Sequence, residues 1–230
     1  MPHSLDSIAT IWLVLSILAA LYVVYDVTAG GHAQPMWIMS VVWPLTILYW
    51  GPVGLIFYFW FGRAKAAAGH ASHGEGDDGG DHKDLPMWQA VFKGATHCGA
   101  GCASGDFVAD WIAFAAAFSI AGSKLGGRLV LAFVFAYCVG IVFQYFSIAP
   151  MRGLGLRQGI IAAIKADTLS LVAYEVGMFA CMIGFAHASP GLEPTRPVYW
   201  VLMQIGMIVG FATTYPINWW LIQRGWKERM

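Results

Sequence analysis

The chain has 230 residues, 58% of them hydrophobic and only 11% charged, and its 13 basic and 13 acidic residues cancel to a formal net charge of zero. So apolar a composition excludes an ordinary soluble domain and implies an integral membrane protein. Scattered basic residues exclude a nucleic-acid partner, and cysteines placed in apolar segments rather than loops exclude a disulfide framework.

Six apolar runs are long enough to cross a bilayer, which takes roughly 20 residues each. They cover 8–28, 36–61, 91–120, 129–148, 160–186 and 198–222. The prediction is an all-α integral membrane protein, a six-helix transmembrane bundle. MPHSLDS, ahead of the first run, has no Lys or Arg, so that run reads as a retained span rather than a cleaved signal. Pro44 and Pro52 in the second run and Pro216 in the sixth predict kinked or tilted helices. Residues 62–86 are small, polar and rich in Gly and Asp, with His70, His73 and His82 among them. Such a stretch buries too little apolar surface to order itself and predicts a disordered cytoplasmic loop between helices two and three. Three units result: two N-terminal helices in 1–61, the loop in 62–86, and a four-helix core in 87–230.

With six crossings, Arg63, Lys65, Lys83, Lys93, Arg152, Arg157, Lys165, Arg224, Lys227 and Arg229 fall on one side, and Lys124, Arg128 and Arg196 on the other. The positive-inside rule then places both termini in the cytoplasm of a cell whose inner membrane holds the protein.

The stretch that carries chemistry is THCGAGCASGDFVADW, residues 96–111. On a helix, Cys98, Cys102, Asp106 and Asp110 follow at i+4 steps and form one slowly winding stripe. Thiolates suit soft ions such as Cu(I), and two sulfurs one turn apart can reach one ion. His97, Cys98 and Cys102 are therefore the candidate metal ligands. His97 projects about 100° from Cys98, so it joins them only at a kink, which Gly94 and Gly99 would permit. Asp106, Asp110 and Glu175 lie at mid-depth with no basic neighbour, and buried acids of this kind call for a cation or shared protons. Asp26 and Asp167, near the ends of runs, read as interfacial acids. Met178, Cys181, Met182, Met203 and Met207 add soft donors on runs five and six, where ordinary packing is the simpler account. Cys138 and His187 stand alone and take no role. CxxxC in a reducing compartment favours metal over disulfide exchange.

The segments HCGAGCASGD, YFSIAPMRGL and GMIVGFATTYPINWWLIQRGWKERM resemble those of a family of bacterial polytopic membrane proteins of unknown function. The resemblance covers about 87–230 and implies an inner-membrane protein with His97, Cys98, Cys102 and Asp106 among its signature residues. It implies no activity.

From the residues, the expected function is binding of a soft metal ion, copper first, for transport or transfer across the bilayer, with zinc, iron and haem as alternatives. The expected partners are the lipid bilayer, the metal ion, and a membrane or metallochaperone protein. Two further readings stand beside it: a membrane oxidoreductase or assembly factor holding a metal or haem, and a structural subunit in which the polar stripe joins helices. No hydrolytic motif is present.

Overall fold

The computed structural model describes residues 3–64 and 86–229, and every regular element among them is helical. The long helices are α1 (His3–Thr28), α2 (Trp37–Trp50), α4 (Met87–Ala115), α5 (Lys124–Arg152), α6 (Leu156–Ala188) and α7 (Pro197–Gln223), with a short α3 (Gly54–Phe57) after α2. The His/Gly/Asp-rich loop predicted over 62–86, with His70, His73 and His82, lies outside the described residues except at its ends.

By length and composition, five helical segments are apolar enough to cross a membrane: Ser4–Thr28, Trp37–Gly62, Lys124–Arg152, Leu156–Ala188 and Pro197–Gln223. The 29 residues of α4 are also long enough, at about 1.5 Å each. Their polar stripe lowers the mean hydropathy, and the other helices cover them. α4 packs on α2, α5, α6 and α7 and is buried almost without a break from Ala90 to Asp106. The apolar residues left exposed, such as Ile8, Ile11, Leu18 and Val176, face outward as lipid-facing side chains do.

The second apolar run is not one straight helix. α2 descends to a tip at Gly51 and Pro52, and the chain then climbs back through α3 and a π-helical turn, Tyr58–Gly62. Trp43 on the way down meets Tyr58 on the way up, with ring centroids 5.5 Å apart. At the top, Gln34 Nε2 donates to the Gly62 carbonyl at 3.1 Å, so the segment ends level with where it began. A straight helix would hold Trp43 and Tyr58 about 22 Å apart. The prolines predicted a bend here, and the result is a full reversal.

Its cause is local. Gly51 takes φ +65° and ψ −162°, which side chains resist. Pro52 has no N–H to give the Leu48 carbonyl. That freed oxygen lies deep in the bundle, where an unpaired carbonyl costs several kcal/mol. Gln204 of α7 satisfies it, donating from Nε2 at 2.6 Å while its Oε1 accepts from Trp12 of α1 at 2.8 Å.

Cross-helix pairs fix the directions of the remaining helices. Asp6 pairs with Arg196 at 2.5 Å and Trp12 with Gln204, so α1 and α7 run parallel. α4 and α5 run antiparallel, because Gly101 meets Gly140 and Gly105 meets Ala136. α1 therefore starts at one end of the bundle and the chain past α7 finishes at the other. One end, the basic end, gathers Arg63, Arg152, Arg157, Lys165, Arg224 and Lys227, while Lys124, Arg128 and Arg196 sit at the opposite end. The basic asymmetry survives because no Lys or Arg precedes Arg63.

Candidate functional site

The site is built on the buried side of α4. Its glycines let other parts come close, as small residues do between helices in lipid. A Cβ on Gly105 would stand 2.4 Å from the Ala136 amide nitrogen, and one on Gly101 would stand 2.9 Å from the Gly140 Cα. Gly99 serves a different neighbour. A Cβ there would fall 2.6 Å from the Tyr49 hydroxyl, which the hairpin delivers to the middle of the bundle from just above its tip.

Cys98, Cys102, Asp106 and Asp110 all turn inward, and Glu175 meets them from α6; none of the five is more than 1% exposed. The expected stripe is therefore real, and it faces protein rather than lipid. Cys102 lies within electrostatic reach of Cys98, Glu175 and Asp106. Asp106 in turn feels Glu175 and Asp110, and Tyr174 feels Tyr49, Cys102, Asp106 and Glu175. Among the described residues, both carboxylate oxygens of Asp106 and the Tyr174 hydroxyl are buried without a hydrogen-bond partner, while Glu175 has the Cys102 thiol beside it and Tyr49 has Thr46 and Trp50. Two thiols, two carboxyls and two phenols thus converge at mid-depth. A charged carboxylate left alone there costs several kcal/mol, so a cation or protons must accompany these acids.

The outer members of the stripe differ. Asp110 accepts a very short hydrogen bond from the Tyr199 hydroxyl and faces the Arg128 guanidinium at 3.6 Å. The chain itself neutralises this acid. His97 does not join the thiols: its ring packs 6.1 Å from Phe143, and the charges within its reach are Asp167 and Lys227. Among the described residues no three His, Cys, Asp or Glu side chains gather closely enough to hold a metal ion. The expected His97–Cys98–Cys102 set is not assembled as such; the thiols keep company with Asp106 and Glu175 instead.

Asp26 and Asp167 are buried acids paired with basic side chains rather than interfacial ones. Asp26 is held by Arg63 through two bonds of 2.8 and 2.6 Å, by Tyr58 at 2.7 Å and by His32 at 3.2 Å. Asp167 pairs with Lys227 at 2.6 Å, both side chains fully buried. Nothing in the chain pattern points to the place Lys227 takes, because a lysine after a last helix reads as an interfacial anchor. Tyr49 was hidden because its run reads as a span. Tyr174, beside Glu175, could have been singled out as the residue next to a buried acid.

The methionines are placed more tellingly than their composition suggested. Met178, Met182, Met203 and Met207 belong to the same buried cluster as Cys98, Cys102, Tyr49 and Tyr174. Three of them, Met178, Met182 and Met203, line a small cavity of about 40 Å³ that reaches Asp110 and Arg128. Sulfur donors thus run from the thiols toward the end where α7 begins. Cys138 is exposed and Cys181 partly so.

A family model described as a domain of unknown function (DUF4396) matches residues 87–227, more than half of the chain and all of the helices α4 to α7. No curated protein and no solved structure matches the chain.

Proposed function

The chain belongs to the DUF4396 family, and we propose that it is a multi-pass inner-membrane protein that carries a soft cation, copper(I) first, through the interior of its bundle. The basic end faces the cytoplasm, which puts the start of α1 outside and the chain beyond α7 inside. Five helices cross, and the hairpin enters from the cytoplasmic side and turns back at mid-depth.

The observation that carries this reading is the shared cluster: two thiols and four thioethers in one buried region, with the buried carboxyls of Asp106 and Glu175 beside the thiols. Cys98 and Cys102 bind the ion. Copper(I) is a soft ion suited to sulfur donors, which Cys98 and Cys102 offer one helical turn apart. Asp106 and Glu175 take up the protons that the two thiols release when the ion binds, and Met178, Met182 and Met203 receive the ion toward the outer end. Methionine is the fitting donor there because it binds copper(I) without carrying a charge of its own.

Titration of the purified protein with copper(I), or with silver(I) as its redox-inert stand-in, against a competing chelator tests the assignment. One equivalent should bind to the wild type and none to Cys98→Ser/Cys102→Ser, with both forms equally folded. Equal binding by the two forms would remove the thiols from the function.

A further inference from the structure

At the basic end of the same interior a second group of polar side chains is gathered, and it lies apart from the thiols. Beyond α7 the chain turns at Gly225, whose φ is +69°, and the amides of Trp226 and Lys227 both bond back to the Leu221 carbonyl. This turn drops Lys227 into the bundle. Its ammonium bonds to Asp167 Oδ1, while Asp167 Oδ2 has no partner among the described residues. The lysine stem passes the backbone of α4 at Gly94, with Asn218 beside it. One turn deeper lies the buried imidazole of His97, within hydrogen-bonding reach of the Phe143 backbone. The antiparallel register that pairs Gly105 with Ala136 and Gly101 with Gly140 brings Gln144 level with His97. Gln144 is fully buried, and neither its amide oxygen nor its nitrogen has a partner there.

A buried ion pair is a costly way to join a chain terminus to a bundle, since packed apolar side chains do so at least as well. The free oxygen of Asp167 and the unpartnered amide of Gln144 leave more bonding capacity there than one lysine uses. We propose that Asp167 is a second cation-binding position, nearest the cytoplasm, and that the Lys227 ammonium is its tethered occupant. A cation crossing between the thiols and the cytoplasm meets a carboxylate already neutralised by a group on the short turn past α7. When Lys227 withdraws, the carboxylate is left for a free monovalent cation or a protonated amine. The passage role rests on the function proposed above; the cation site itself does not, and its test involves no metal.

Chemical rescue tests the site. Lys227→Ala removes the ammonium and opens a lysine-sized space beside Asp167, so its melting temperature in detergent should fall. Ethylammonium should restore part of the loss, whereas ethanol, of similar size and uncharged, should not. Neither compound should shift the wild type beyond the common effect of salt. In Asp167→Asn/Lys227→Ala the ethylammonium effect should vanish, since no carboxylate remains to receive it. If Lys227→Ala fails to fold, Lys227→Met, which fills most of the space without a charge, replaces it with methylammonium as the probe. Absence of any ammonium-specific gain, or an equal gain in the double variant that lacks the carboxylate, would overturn the proposal.

Discussion

Asp26, at the end of α1, and the acids of the middle cluster are similarly buried and quite differently treated. Asp26 has a guanidinium, a phenol and an imidazole around it, all supplied by 1–64. Among the described residues, Asp106 has no hydrogen-bond partner for either oxygen, and Glu175 has the Cys102 thiol beside it. The first arrangement holds two parts of the chain together: it ties the returning arm of the hairpin to α1. The second has no base to neutralise it, which is the property the proposed cation-binding role rests on.

Removing each acid separates these roles by sign. Asp26→Ala leaves the Arg63 guanidinium without its carboxylate and should destabilise the protein by about 2–3 kcal/mol; the range stays below that of a fully buried pair because Arg63 is partly exposed. Thermal melting in detergent checks it, and an unchanged midpoint would mean that the hairpin does not depend on this contact. Gly51→Ala comes next. The substitution forces an unfavourable backbone conformation and drives a methyl group to 2.6 Å from the Trp12 ring, so a loss of about 1–3 kcal/mol is expected. It should also weaken copper(I) binding, because the tip positions Tyr49. Glu175→Gln is the smallest effect on stability and the most informative. With only the Cys102 thiol beside it, it should keep the melting point within about 1 kcal/mol equivalent of the wild type, while reducing copper(I) affinity. A large destabilisation would instead reveal a structural partner for Glu175 and would return it to the class of Asp26.

Glycine substitutions sharpen the contrast within α4. Gly105→Ala meets backbone atoms of α5 that cannot move and should unsettle the whole helix pair. Gly94→Ala finds its nearest neighbours at 3.7 and 3.9 Å and should be tolerated in stability assays. Between them, Gly99→Ala should displace the Tyr49 hydroxyl, lowering silver(I) binding more than it lowers the melting point.

Much of the site was legible in the sequence. The i+4 spacing of Cys98, Cys102, Asp106 and Asp110 places them on one helical face whatever surrounds the helix, and an apolar context makes that face an inward one. Glu175 was recognisable as its counterpart because no basic residue lies near it in the chain. What the spacing could not say is which acids find partners far away in sequence. Asp110 meets Arg128 and Tyr199, and Asp167 meets Lys227, across 18, 89 and 60 residues. Asp106 meets none among the described residues, and Glu175 has only the Cys102 thiol beside it. His97 was grouped with the thiols by adjacency, yet adjacent residues on a helix point about 100° apart, and here that angle sends the imidazole toward Phe143 and within reach of Asp167.

The helical class, the lipid-facing surfaces, the basic asymmetry and the thiol–acid stripe follow from composition and period alone, because each depends only on which residues recur at helical spacing. The direction of the second apolar run does not. Pro44, Pro150 and Pro216 sit within continuing helices while Gly51-Pro52 reverses the chain, and hydropathy is the same for a segment that crosses and one that turns back. Only the packed bundle decided it, by supplying from Gln204 the hydrogen bond that a broken helix at that depth requires.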